Sequence, residues 1–165
     1  MRRFDLGVAS YWNVVKLERA LRSIQSRGKT DWRCFIVHNP GASDDQQVRQ
    51  VIDRICAQDA RFIAIWNEKN LGYAGAVNKI FEAAETEYIG YCDNDVEIMT
   101  DGWDEQFCSM LDRFHEIGMI FPNFGAYSII RPAYTEIMWG VGFCWVISRL
   151  AMRDTGIFDQ SLGHQ

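Results

Sequence analysis

Apolar, β-rich runs alternate with helix-period segments along most of this chain, and that alternation constrains the fold more than any other feature. Residues 6–9 read as a first buried strand, after which Val14, Leu17, Leu21 and Ile24 recur at i, i+3, i+7 and i+10, the spacing of one helix face. Residues 34–37 form a second apolar run, stopped by the turn signal His38-Asn39-Pro40-Gly41. Ser43 or Asp44 is placed to cap the next helix, whose inner face is Val48, Val51, Ile52 and Ile55. A third run at 62–66 leads through Asn70-Leu71-Gly72 into a helix with Val77, Ile80, Phe81 and Ala84 inward, and a fourth run covers 88–92. Phe107, Leu111 and Phe114 mark another helix, followed by a short strand at 119–121. Four strand–helix units in succession predict an α/β architecture, a doubly wound and mostly parallel sheet flanked by helices. The 165 residues fit one domain, 1–165, with neither an internal repeat nor a linker. Beyond Pro122 the chain becomes rich in small, aromatic and turn residues (124–134), then gives a late strand at 140–147, a short helix at 149–155 and a closing loop at 156–165.

In a doubly wound sheet, ligands bind beyond the C-terminal ends of the strands. The loops at 10–13, 38–43, 66–72 and 93–95 all fall on that edge. The last holds Asp93-Asn94-Asp95, two carboxylates one residue apart at the end of a buried strand. Hard oxygen ligands suit Mg²⁺ or Mn²⁺, so the pair is a candidate metal–phosphate site, and a solvated acidic turn is the alternative. The Gly-x-Gly-x-x-Gly and Gly-Lys-Ser/Thr phosphate loops are absent; Ser10-Tyr11-Trp12-Asn13 follows the first strand instead. The small residues from Asn70 to Asn78 open a helix whose N-terminus attracts anions, or else make a tight turn packed on the sheet. Trp12, Trp139 and Trp145 are placed to stack on sugars or bases, or to fill the core. His38 is placed to contact a base or ribose, or to be satisfied by its own turn.

A formal net charge of −5 argues against binding a nucleic-acid backbone. No apolar stretch approaches the roughly 20 residues that cross a bilayer, and Asp5 interrupts any signal-peptide core. The five cysteines (Cys34, Cys56, Cys92, Cys108 and Cys144) include no Cys-x-x-Cys pair. They point away from zinc and toward a reducing, cytoplasmic compartment.

Five segments in order resemble family-2 glycosyltransferases of the GT-A fold. They are residues 8–13, residues 36–44, residues 70–78, Tyr91-Cys92-Asp93-Asn94-Asp95-Val96, and the stretch from Gly142-Phe143-Cys144 to Gly156-Ile157-Phe158-Asp159. The resemblance covers nearly the whole chain. It implies transfer of a sugar, with inversion, from a UDP- or other nucleotide diphosphate sugar to an acceptor hydroxyl on a glycan, lipid or other compound. Asp93 and Asp95 match the family's Asp-x-Asp motif and would bind Mn²⁺ or Mg²⁺. Ser10, Tyr11, His38, Asn70, Gly72, Asn78, Asp93 and Asn94 would line the donor nucleotide. Trp139, Gly140 and Gly142 would lie on the donor-sugar or acceptor side. The family has Asp where this chain has His38, and imidazole lacks the two acceptors of a carboxylate. The family's general base follows Phe158-Asp159-Gln160 in a segment that would lie beyond Gln165, as expected of an N-terminal portion; Asp159 matches only a flanking position, and His164 is the nearest substitute. A non-catalytic nucleotide-sugar-binding domain and a sugar nucleotidyltransferase are the competing readings, the latter lacking its usual Gly-rich basic loop.

Overall fold

The computed structural model describes residues 4–122, 128–130, 135–137 and 142–162. Strands β1 (Phe4–Ser10), β2 (Trp32–His38), β3 (Phe62–Trp66) and β4 (Tyr88–Asp93) are connected by helices α1 (Val14–Arg27), α2 (Asp45–Gln58) and α3 (Gly72–Ala83). Helix α4 (Trp103–Arg113) and strands β5 (Met119–Ile120), β6 (Ser128–Ile130), β7 (Thr135–Ile137) and β8 (Cys144–Ser148) follow, then α5 (Arg149–Thr155) and a 3₁₀ turn at Gln160–Leu162. The main sheet has the order β3-β2-β1-β4-β8-β5. β1 pairs in parallel with β2 on one side and β4 on the other, and β8 runs antiparallel to both β4 and β5. The chain therefore winds outward from β1 to β3, and α3 returns it to the far side of β1. The β1/β4 boundary is where the winding reverses, the position at which such sheets hold ligands.

The period of two along each strand divides the core into two layers. Phe4, Leu6 and Val8 pack with Leu17, Leu21 and Ile24 of α1 and with Val48, Ile52 and Ile55 of α2. Phe35, Val37, Ile89 and Tyr91 pack instead with Ala76, Val77, Ile80 and Phe81 of α3. Burying each such aliphatic side chain contributes about 1.5–3 kcal/mol. Gly7 lies at the centre of the second layer, where a Cβ would overlap the Ile80 side chain, so its bare backbone lets α3 lie directly on the middle strand. At the N-terminal edge the buried Asp5 accepts from Arg33 Nε and Nη2 (2.9 and 3.0 Å) and from the Glu85 and Thr86 amides (2.7 and 3.2 Å). Burial raises its carboxyl pKa, but Arg33 and the two amides outweigh that and hold it low, so a charged Asp5 ties the α3–β4 turn to the sheet.

Three features depart from the sequence-based expectation. Ser10 and His38 continue the β1–β2 ladder past the apolar runs as mutual partners. The late strand inserts antiparallel between β4 and β5, and a separate antiparallel β6–β7 pair lies within and just beyond the stretch 124–134 that reads as rich in small, aromatic and turn residues. Asp44 occupies the N-cap position of α2, but its side chain makes no cap hydrogen bond there. Its Oδ2 accepts instead from the Asn13 and Val14 amides at the start of α1 (2.9 and 3.3 Å). No helix among the described residues is long and apolar enough to cross a membrane.

Candidate functional site

At the C-terminal edge of the sheet Ala9 sits in register with Asp93 on one side and Val37 on the other. Asp93 is the last residue of β4, and its backbone is fixed by donation to the Phe143 carbonyl at 2.7 Å. The Tyr91 hydroxyl donates to Asp93 Oδ1 at 2.5 Å. Burial pushes the Asp93 carboxyl pKa up and the nearby Asp95 adds to the rise, with the Tyr91 bond opposing both. The adjoining Asn94 side chain donates to the Trp12 carbonyl at 2.7 Å, tying this loop to the one after β1. Asp95 points outward and pairs with Lys16 Nζ at 3.1 Å, the two side chains being 48% and 53% exposed. An exposed pair of this kind contributes at most about 1 kcal/mol, so Lys16 is readily exchanged for another cation.

On the same edge of the sheet lies a cavity of about 340 Å³ lined by Ala9, Ser10, Tyr11, Asn39, Asn70 and Gly72, with Tyr73; Asp93 and Asp95 are not part of its lining. Asn39 organises its floor. The Asn39 side chain donates to the Gly72 carbonyl (3.3 Å) and accepts from Asn67 Nδ2 (2.9 Å) and the Leu71 amide (3.2 Å), while its amide donates to the Ser10 carbonyl (2.7 Å). Asn70 Oδ1 accepts from the Gly72 amide at 2.8 Å, and Gly72 adopts a φ of 68°, which a side chain would resist. A larger open groove of about 450 Å³ runs along α1 past Val15, Arg19, Arg22 and Glu97. Two of its flanking charges pair with neighbours, Arg22 with Glu18 (3.8 Å) and Arg27 with Asp101 (2.6 Å).

The remaining site positions read from sequence are distributed as follows. His38 has no exposed surface: Nε2 meets Asp45 Oδ1 at 2.9 Å, Nδ1 meets Ser10 Oγ at 3.4 Å, and the Trp66 ring sits edge-on at 5.5 Å. Burial lowers the imidazole pKa, with Asp45 opposing, so a neutral ring that donates from Nε2 and accepts at Nδ1 fits all its partners. Asn78 is buried and exchanges two hydrogen bonds with the Phe158 backbone (2.8 and 2.9 Å), anchoring the segment after α5. Tyr11 and Gly142 are exposed, and the Tyr73 hydroxyl donates to the Gly142 carbonyl at 3.4 Å. Trp139, Gly140 and His164 lie outside the described residues. Trp12 is 58% exposed, whereas Trp145 is buried in the core against Tyr91. Asn39, Tyr73, Tyr91, Lys16 and Asp45 were not singled out from sequence. Only Tyr91 carried a readable signal, because position i−2 on a strand shares a face with Asp93.

The donor set suits a hard divalent ion only in part. Asp93 and Asp95 supply carboxylate oxygens, and among the described residues no group of three or more His, Cys, Asp or Glu side chains converges. A cation here would take its other ligands from phosphate oxygens and water, the habit of Mg²⁺ in nucleotide sites. The helix starts on this edge offer a phosphate little, since Asp44 covers the start of α1 and Asn39 and Asn70 cover that of α3.

Comparison with known proteins agrees with this architecture. TuaG of Bacillus subtilis (strain 168), a glycosyltransferase named for teichuronic acid biosynthesis, is 26% identical over 97 residues, 59% of this chain and 37% of TuaG. Among solved structures, the mannosyltransferase PcManGT from Pyrobaculum calidifontis, in complex with GDP-Man and Mn²⁺, superposes with a TM-score of 0.75 at 14% identity, over 97% of this chain and 48% of that one. GalNAc-T7 with UDP, GalNAc and Mn²⁺ gives a TM-score of 0.79 at 12% identity, over 99% and 38%. S. aureus TarS 1-349 in complex with UDP gives 0.71 at 14%, over 97% and 51%. This chain thus spans about half or less of each of these proteins, and the structural likenesses establish the fold as that of GT-A glycosyltransferases. The model of glycosyl transferase family 2 matches residues 8–156, from the first strand through the last helix, and the chain therefore belongs to that family.

Proposed function

We propose that this domain binds a nucleotide diphosphate sugar together with Mn²⁺ or Mg²⁺ at the β1/β4 edge and takes part in inverting transfer of the sugar to an acceptor hydroxyl. The observation that carries this reading is the position of Asp93, across the ladder from Ala9 at the point where the sheet reverses its winding. Asp93 and Asp95 would hold the ion, and the ion would supply neutralising charge to the nucleoside diphosphate as it leaves. Tyr11, Tyr73, Asn70 and Gly72 line the cavity in which the nucleoside would lie. Ser10, His38 and Asn94 would support its walls, and Asn78 would hold the C-terminal segment in place. Gly142, with Trp139 and Gly140, is assigned to the donor-sugar or acceptor side. Inversion needs a base within reach of the acceptor hydroxyl. Asp159 is exposed, its carboxylate accepting from the Ser161 amide at 2.8 Å, and it is assigned no catalytic role. We place the base, and acceptor recognition, in the portion of the longer relatives that this chain does not span. Five free cysteines, four of them buried, fit a cytoplasmic setting.

Thermal unfolding with UDP or GDP, each with and without Mn²⁺, tests the donor site. A ligand at a hundred times its Kd stabilises by about 2.7 kcal/mol. At least one nucleoside diphosphate is expected to raise Tm only when Mn²⁺ is present, and Asp95→Ala is expected to abolish the increment. No metal-dependent stabilisation by either nucleotide would count against the assignment.

A further inference from the structure

We propose that β3 pairs antiparallel with the β3 of a second copy of this chain, joining two six-stranded sheets edge to edge in a twofold dimer. The inference is independent of the donor-site reading. β3 is an outer strand of the main sheet, and its residues Phe62-Ile63-Ala64-Ile65-Trp66 include neither a charge nor a proline, the usual guards of an open edge. The other outer strand, β5, is only two residues long. The Cys34 amide donates to the Arg61 carbonyl (2.8 Å) and the Asn67 amide to the His38 carbonyl (3.1 Å), so residues 61, 63, 65 and 67 turn their peptide groups toward β2. The alternation of a strand then turns those of Phe62, Ala64 and Trp66 outward. Two of these outward amides have local acceptors, Phe62 the Asp59 carbonyl (3.0 Å) and Ala64 the Cys56 sulfur, a weak one. Pairing draws on the Trp66 amide and the three outward carbonyls, with the Ala64 amide exchanging sulfur for a carbonyl.

The occupant is a second copy because the strand complements itself. With Ala64 opposite Ala64, the twofold register sets Phe62 against Trp66. Hydrogen bonds then run from each Trp66 amide to the Phe62 carbonyl of the other copy and between the two Ala64 residues. The same register sets Ile63 against Ile65 on the α3 face, where Ile65 packs on the second core layer and Ile63 is 37% exposed. Beyond the strand ends, Asp59 falls opposite Lys69 of the other copy and Arg61 beside its Glu68, opposite charges in both cases. The two sheets run antiparallel, so their C-terminal edges face opposite ways and each candidate donor site stays open.

Sedimentation of the 165-residue chain over a range of concentrations, with hydrogen exchange on the same samples, tests this. Mass is expected to rise with concentration to that of a dimer, and exchange of the Trp66 amide is expected to slow by at least about tenfold where the dimer prevails. Ala64→Pro keeps the ladder to β2, since that amide faces outward, and removes the central bond of the join. Ile63→Lys sets a charge at an exposed position of the same edge. Both variants are expected to stay monomeric. Val15→Lys is the control, because Val15 is an apolar residue of α1 that is 60% exposed, away from β3. It is expected to dimerise as the wild type does. A wild type that is monomeric at every concentration overturns the proposal. So does a dimer that Ile63→Lys leaves intact, that Val15→Lys disrupts equally, or that protects amides elsewhere and not Trp66. Should Ala64→Pro fail to fold, Ile63→Lys and the Trp66 amide decide the question.

Discussion

At His38 the chain has imidazole where the family resemblance led us to expect a carboxylate, and a carboxylate reaches the same spot from seven positions downstream. Asp45 accepts from His38, from the Gly41 amide and from Arg49 Nε at 2.9 Å, and Arg49 in turn lies over the Trp66 ring at 4.9 Å. The sequence reading left open whether His38 touches a ligand or is satisfied by its turn; the local turn does place Asp45 within reach, but nothing in the periodicity announces the pairing. The consequence is a pH dependence with a definite sign. Burial holds the folded-state pKa of His38 below its ordinary 6.5, so the unfolded chain takes up the proton first. Stability from this residue is fully present above about pH 6.5 and is lost as pH falls below that value. Tm is therefore expected to drop between pH 7.5 and 5.5, and His38→Gln is expected to flatten that drop. Parallel profiles for the two proteins would show that His38 does not titrate in this way.

Helices and strands were legible to the extent that their signals are local. The four leading strands and α1 to α3 follow from apolar spacing, because each must bury one stripe or one face against the sheet. Long-range choices were not legible. The apolar run that becomes β8 carries no mark of direction or neighbour, so its antiparallel position between β4 and β5 is not readable from spacing. Asp44 shows the same limit at a helix end. Its place before α2 suggests a cap for that helix, yet the loop aims its carboxylate at α1, where Asn13 holds a φ of 68° and caps Lys16 with its own side chain. Asp44→Ala is accordingly expected to cost about 1 kcal/mol by uncovering two amides of α1. Chemical denaturation checks the size, and the hydrogen-exchange protection of the Asn13 and Val14 amides checks the location. Loss of protection at the start of α2 instead would contradict the cross-helix cap.

Across the whole molecule the polar loops converge because the winding order brings them together. β1 lies between the two halves of the sheet, so the residues that follow it meet the ends of β2 and β4 at once. That Asp93 and Asp95 fall on this edge was legible in sequence, because the apolar run of β4 ends directly at Asp93. Lys16 and Asn39 were not, because their contacts depend on which neighbours the fold supplies, and Tyr91 was marked only by sharing a strand face with Asp93. The central claim, a metal–diphosphate site at this edge, is tested most directly by paramagnetic broadening of backbone amide resonances by Mn²⁺ in the presence of UDP or GDP. Our account predicts the strongest broadening at Asp93, Asn94 and Asp95, then at Tyr11, Trp12 and Asn13, with Asp5, Arg33 and Glu85 at the opposite edge least affected, and loss of the effect in Asp95→Ala. Broadening centred on other acidic groups such as Asp59 or Asp101, or a pattern that Asp95→Ala leaves unchanged, would contradict it.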